Sequence, residues 1–143
     1  MLQITKVFRF EMAHAIYGYP GKCKDIHGHS YELHVTIAPT DMNENFLPGT
    51  GLIMDFKELK QIVNEGLIRE LDHKLILSSA FITAHSTAYS ENLLEWEQEP
   101  SAENILVYIK QFLSKNLPEH ICLVKLKLFE TTDSYAEWIN DHQ

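Results

Sequence analysis

The sequence predicts an α+β fold built on an antiparallel sheet. Three observations carry that expectation. Two segments of strand period, residues 2–12 and 30–38, lie close enough in the chain to pair as a hairpin. Two later segments have helical period, and strand character returns over 120–130 and 134–139. Strands, then helices, then strands is the order of an α+β architecture rather than of alternating βαβ units.

Residues 2–12 place Ile4, Phe8, Phe10 and Met12 at even positions, the two-residue period of a half-buried strand. A loop with Gly18, Pro20 and Gly21 follows. Residues 30–38 set Tyr31, Leu33, Val35 and Ile37 against Glu32, His34 and Thr36. The turn-rich stretch 43–51 reads as the tip of a long hairpin. Asp55 with Glu58 makes a capping-box-like start, and Phe56, Leu59, Ile62, Val63 and Leu67 keep helical spacing to an end near Leu71. Residues 74–99 carry the weakest signal. A short helix fits within Ala84–Glu97, and 76–99 reads as a variable insertion between elements. Pro100–Ser101 opens a second helix with Ile105, Tyr108, Ile109 and Phe112 on one face. The chain has no repeat, low-complexity tract or linker, so residues 1–143 are expected to form a single domain.

Of the 143 residues, 45% are hydrophobic and 22% charged, enough to bury a core without disulfides. The formal charge of −8 argues against a protein held to nucleic acid or an anionic membrane by bulk electrostatics. No apolar run approaches the ~20 residues that span a bilayer, and MLQITKVFRFEMAH lacks the apolar stretch of a signal peptide. A cytoplasmic protein with reduced thiols is the expectation. Cys122, in the apolar run ICLVKLKLF, is expected in the core, and Cys23 lies in the polar stretch GKCKD. A Cys23–Cys122 disulfide is the alternative.

The strongest chemical signal is Cys23-Lys-Asp-Ile-His27-Gly-His29. Two histidines at i and i+2 of an extended chain project to the same side, and imidazole suits zinc. Gly28 between them would let the backbone approach an ion. His14 continues the even face of the first strand and is the natural third ligand. Three protein ligands with an open position make a catalytic zinc site; with Cys23 as fourth ligand the site would be structural. Asp72-His73 ends the first helix, either as a carboxylate orienting an imidazole for proton transfer or as a helix C-terminal cap. Glu130 ends the apolar face of the strand 120–130. It is either a solvated strand end or a carboxylate placed for the paired donors of a guanidine-like N–C–N edge.

Together these residues resemble the 6-pyruvoyltetrahydropterin synthase family, and within it the bacterial 6-carboxytetrahydropterin synthases. The resemblance runs through FRFEMAHAI (8–16), CKDIHGHSYELHVTI (23–37), GLIMDFKELK (51–60), LDHKL (71–75), PSAEN (100–104) and FETTDSYAEW (129–138). It implies the tunnelling fold: an antiparallel sheet with two helices on one face, three subunits joining their sheets into a barrel, and two trimers stacking into a homohexamer. It implies Zn2+ held by His14, His27 and His29, and Cys23 as proton acceptor rather than ligand. Asp72 and His73 would assist proton transfer from a neighbouring subunit, and Glu130 would anchor the pterin ring. Ser101, Glu103 and Thr131 are further candidate substrate contacts. Ser101 stands where threonine is common in the family, which keeps a hydroxyl there.

The implied substrate is 7,8-dihydroneopterin triphosphate. Lys22 and Lys24 would favour the Cys23 thiolate and meet the triphosphate. The implied product is 6-carboxy-5,6,7,8-tetrahydropterin, with acetaldehyde and triphosphate released, on the way to queuosine and other 7-deazapurines. Two alternatives stay open: a sister reaction giving a pyruvoyl- or hydroxymethylpterin, and a zinc-binding assembly module without catalysis.

Overall fold

The computed structural model describes residues 1–41, 45–86 and 91–141. Its centre is the hairpin of β1 (Ile4–His14) and β2 (His27–Pro39), which pair antiparallel from Ile4↔Ile37 to His14↔His27. β5 (Ile121–Thr131) adds antiparallel to β2, and β6 (Ser134–Ile139) to β5. On the other flank β3 (Lys74–Ser78) and β4 (Leu93–Trp96) run parallel, giving the order β4-β3-β1-β2-β5-β6. The α+β fold is as expected, but the sheet is mixed rather than wholly antiparallel. The stretch 76–99 is built into that sheet. Its helix, α3 (Ser79–His85), lies earlier than Ala84–Glu97 and is capped by Ser78, whose hydroxyl accepts from Phe81 N at 3.1 Å. Residues 87–90 of the expected helix fall outside the described residues.

β2 leads not into a second hairpin arm, as 43–51 suggested, but into a helix; residues 42–44 lie outside the described residues. α1 (Phe56–Val63) is capped by Asp55, which accepts from Lys57 N at 2.8 Å. It continues through a π-helical stretch (Asn64–Ile68) into the last turn, α2 (Arg69–Leu71). Gly66 in that stretch lies against the Phe112 ring so closely that an added Cβ would collide with it. α4 (Ala102–Asn116) starts at its cap Ser101.

Both helical segments pack on the sheet face bearing Phe8, Phe10, Met12, Leu33 and Leu128, burying Leu59, Val63, Leu67 and Leu71 from one and Ile105, Ile109 and Leu113 from the other. Each fully buried aliphatic side chain contributes roughly 1.5–3 kcal/mol. No helix among the described residues is long and apolar enough to cross a membrane.

Cys122 is not in that core. The register of β5 shifts against β2 between Thr36 and Ile37, so that Val124 is an extra residue and Ile121 and Leu123, not Cys122, face inward. Cys122 is half-buried, its thiol donating to Ala38 O at 3.4 Å, and Cys23 and Cys122 form no disulfide with each other.

Candidate functional site

The register of the hairpin assembles the site. His14 stands directly opposite His27, and Met12 opposite His29. Partners facing each other across an antiparallel pair lie on one side of the sheet, as do residues at i and i+2. The core face of β1 therefore reads Phe8, Phe10, Met12, His14, and that of β2 reads Leu33, Tyr31, His29, His27 towards the same end. Leu126 and Leu128 lead to Glu130 on β5. The apolar rows end in a polar layer.

Among the described residues, His14, His27 and His29 form a group whose ligand nitrogens all lie within 4.8 Å of one another. His14 is buried and the other two are half-buried. Carbonyls fix two of the rings: His14 Nδ1 donates to Pro100 O at 2.6 Å, and His27 Nδ1 to Asp25 O at 2.7 Å. With each Nδ1–H so committed, the two Nε2 atoms carry lone pairs. They face each other at 3.1 Å, an arrangement that neutral imidazoles tolerate only around a shared cation or proton. His29 Nε2 is buried without a hydrogen-bond partner among the described residues, 3.7 Å from Glu130 Oε2. An orphaned buried nitrogen beside two aimed lone pairs fits a metal ion.

Electrostatics favour the ligating form. Burial pushes the His14 pKa down from 6.5 to about 4; the Pro100 carbonyl opposes this, and the two neighbouring histidines add to it. Burial lowers His29 as well, against the pull of Glu130. Sequence reasoning placed Tyr31 only in the strand core. Its buried hydroxyl stands 3.5 Å from His14 Nδ1, and burial, helped by Glu130, raises its pKa so that it stays a neutral phenol. Its place two residues beyond His29 on the same face was the available signal.

A cavity of about 400 Å³ opens on this layer, walled by His14, Cys23, Ser101, Glu103, Glu130 and Tyr135 among others. Cys23 sits exposed on a 3-10 turn (Lys22–Lys24), outside the group of three histidines. Lys22 and Lys24 flank it, exposed, without lining the cavity. Ser101 Oγ accepts from Asn104 N at 3.2 Å as the α4 cap. Thr131 turns away, donating to Asp133 Oδ1 at 2.9 Å. Gly28 meets only ordinary contact, since an added Cβ would lie 3.5 Å from Met12 O; the protein itself does not require glycine there.

Asp72 and His73 dock elsewhere, on the backbone of Glu11. Its N–H donates to Asp72 Oδ1 at 2.8 Å, and its carbonyl accepts from His73 N at 2.6 Å. Asp72 Oδ2 and His73 Nδ1 are 3.0 Å apart. Burial works to raise the Asp72 pKa, but the Glu11 amide and the His73 ring outweigh it and hold the carboxyl below its usual range. His73, in the left-handed region at φ 61°, is 78% exposed at its side chain, and neither residue lines the cavity of its own chain.

Residues 3–140 match the family model described as 6-pyruvoyl tetrahydropterin synthase. A 6-carboxy-5,6,7,8-tetrahydropterin synthase of Rickettsia bellii is 29% identical over 145 residues, covering 96% of this chain and 99% of that protein. One of Aquifex aeolicus is 30% identical over 167 residues, covering 95% and 96%. A dihydroneopterin monophosphate aldolase of Pyrococcus furiosus is 30% identical over 128 residues, covering 90% and 89%. The solved structure of Caenorhabditis elegans 6-pyruvoyl tetrahydropterin synthase shares the fold, with a TM-score of 0.69 at 18% identity over 98% of this chain and 96% of that one.

Proposed function

The chain belongs to the 6-pyruvoyl tetrahydropterin synthase family, and we propose that it is a zinc-dependent 6-carboxy-5,6,7,8-tetrahydropterin synthase. The observation that carries this reading is the single cavity walled by His14, Cys23 and Glu130, with His27 and His29 grouped on His14. Whole-length relatives bearing that name support it. The substrate would be 7,8-dihydroneopterin triphosphate. Conversion to 6-carboxytetrahydropterin, acetaldehyde and triphosphate balances with one water consumed. The ring is reduced by what the side chain loses, so no external redox partner is needed.

Three neutral imidazoles would hold the ion. When bound, zinc supplies Lewis acidity to the side-chain oxygens and lowers the pKa of the hydroxyls. Glu130, at the end of β5, presents a carboxylate to the paired donors of the pterin N–C–N edge. Cys23, as thiolate, takes a proton from the substrate side chain. Lys22 and Lys24 meet the triphosphate, which reconciles an acidic chain with an anionic substrate. Because Asp72 and His73 do not line the cavity of their own chain, they would serve the cavity of a neighbouring copy in a trimer or dimer of trimers. Ser101 and Glu103 lie at the cavity wall as further contacts, and Thr131, its proton committed to Asp133, would meet substrate only as an acceptor. The reduced thiols fit a cytoplasmic enzyme supplying 7-deazapurine synthesis.

Identification by mass spectrometry of what zinc-loaded protein makes from 7,8-dihydroneopterin triphosphate tests the reading. Carboxytetrahydropterin with acetaldehyde is expected. A pyruvoyl product would keep the site and change the activity. The likeness to the aldolase supports a second reading, side-chain cleavage to a hydroxymethylpterin. Zinc-loaded protein without turnover would return the chain to a binding or assembly module.

A further inference from the structure

We propose that Glu99 and Asn104 are positioning residues that organise this site through the tripeptide Glu99-Pro100-Ser101. The inference rests on the roles given above to Cys23 and His14. Each residue of the tripeptide touches a different part of the site. Glu99 Oε1 accepts from Tyr17 N at 2.7 Å, Pro100 O accepts from His14 Nδ1 at 2.6 Å, and Ser101 Oγ accepts from Asn104 N at 3.2 Å. The shape of the tripeptide is itself fixed at Glu99 O, which accepts from Ser101 N at 2.9 Å and from Asn104 Nδ2 at 2.8 Å. Asn104 thus closes the segment from both sides, with its amide on Ser101 and its side chain on Glu99.

The loop that Glu99 grips is the one that carries Cys23. From Ile16 to Ile26 no residue is buried, so apolar packing does little to set its position beyond an edge-on contact of the Tyr17 and His85 rings, centroids 6.5 Å apart. Hydrogen bonds do: Ile16 N donates to Cys23 O at 2.8 Å, closing the loop on itself, and Tyr17 N donates to Glu99, tying it to the head of α4. A carboxylate acceptor makes that second bond a charge-assisted one. The Glu99 side chain therefore holds Cys23 at the cavity mouth. Its backbone carbonyl, through Asn104, holds the Pro100 carbonyl that orients His14. Side chain and backbone of one residue serve the proton acceptor and the ligand separately.

The two roles part under substitution. In zinc-loaded protein, Glu99→Ala removes the grip on Tyr17 but leaves the carbonyl bonds. Hydrogen exchange of Ile16–Cys23 should rise, and kcat should fall about tenfold, the worth of one charge-assisted hydrogen bond. KM and zinc retention against a chelator should stay near the parent values. Glu99→Gln, whose amide oxygen still accepts, should recover most of both losses. Asn104→Ala should instead weaken zinc retention by about 10–100-fold, as the loss of a group orienting a ligand does. Unchanged exchange and kcat in Glu99→Ala, no recovery in Glu99→Gln, or zinc loss equal in Glu99→Ala and Asn104→Ala would each overturn the proposal. If Asn104→Ala does not fold, the two Glu99 variants decide alone. Exchange and zinc retention need no substrate, so they judge the clamp even if the parent turns over no pterin.

Discussion

The core face of β1, β2 and β5 ends differently at its two ends. At one end the rows finish in Ile4, Ile37 and Leu123, packed against or within the main core; at the other they finish in His14, His27, His29 and Glu130. Along β1 and β2 the pairing keeps one register and one face from end to end. What changes there is the side chains, and with them what the residues are for. The apolar end gains stability from burial. The polar end gives some up, because it buries His14 and leaves His29 Nε2 without a hydrogen bond among the described residues.

Substitutions at the two ends should therefore read out in different measurements. The largest effect is expected at the polar end. Cys23→Ala should lower kcat by roughly 10²–10⁴-fold, the usual range for a lost proton-transfer group. Zinc content by elemental analysis and melting temperature should hold, since Cys23 is exposed and outside the histidine group. Loss of zinc together with activity would make Cys23 a ligand and the site a structural one.

The mirror experiment lies on the same β2 row. Leu33, fully buried, replaced by alanine should cost roughly 2–5 kcal/mol in urea unfolding. At low temperature the folded fraction should keep its zinc and its turnover. A variant that lost zinc before it lost the fold would erase the distinction between the ends.

How much of this was legible follows the same division. The antiparallel part announced itself by alternation: β6 falls at residues 134–139 as expected, and the period of β1 carried His14 onto the right face. β3 did not, because Leu75, Ile76 and Leu77 form a continuous apolar run, the pattern of a parallel strand covered on both faces. The bulge at Val124 was equally silent; strict alternation assigned Cys122 to the core, and one extra residue moved it out. At the site, spacing pointed to the three histidines, while Cys23 and Glu130 stayed open until the family resemblance gave them roles. Their orienting partners, the Pro100 and Asp25 carbonyls, are backbone atoms that any residue could supply. The docking of Asp72 and His73 on Glu11 required the β1–β3 pairing, which the sequence did not signal.

The cost of the polar end can be titrated in metal-free protein. The unfolded chain takes up the His14 proton near pH 6.5, the folded chain only near 4. Between those values the unfolded state binds more protons, so stability is full above about 6.5 and falls as pH drops toward 4. At about 1.4 kcal/mol per unit, His14 accounts for a loss on the order of 3 kcal/mol. Other groups lose stability in acid too, so the comparison is with His14→Leu, whose melting temperature should fall less over the same range. Equal slopes would mean that burying His14 carries no such cost.

The smallest effect is expected at the apolar end, where the bulge is held. Asn140 N donates to Val124 O at 2.9 Å, and its side-chain amide donates to Leu123 O at 3.1 Å. The backbone bond satisfies the carbonyl that the extra residue takes out of the ladder, and it survives any substitution that keeps the N–H. Asn140→Ala removes the side-chain bond to Leu123 O, so unfolding should become easier by about 0.5–1.5 kcal/mol. Val124 lies six residues before Glu130, roughly 20 Å along an extended strand. Zinc retention and KM for the pterin should therefore not move. If Asn140→Ala raised KM, the bulge would be setting where Glu130 ends, and the two ends would be mechanically one.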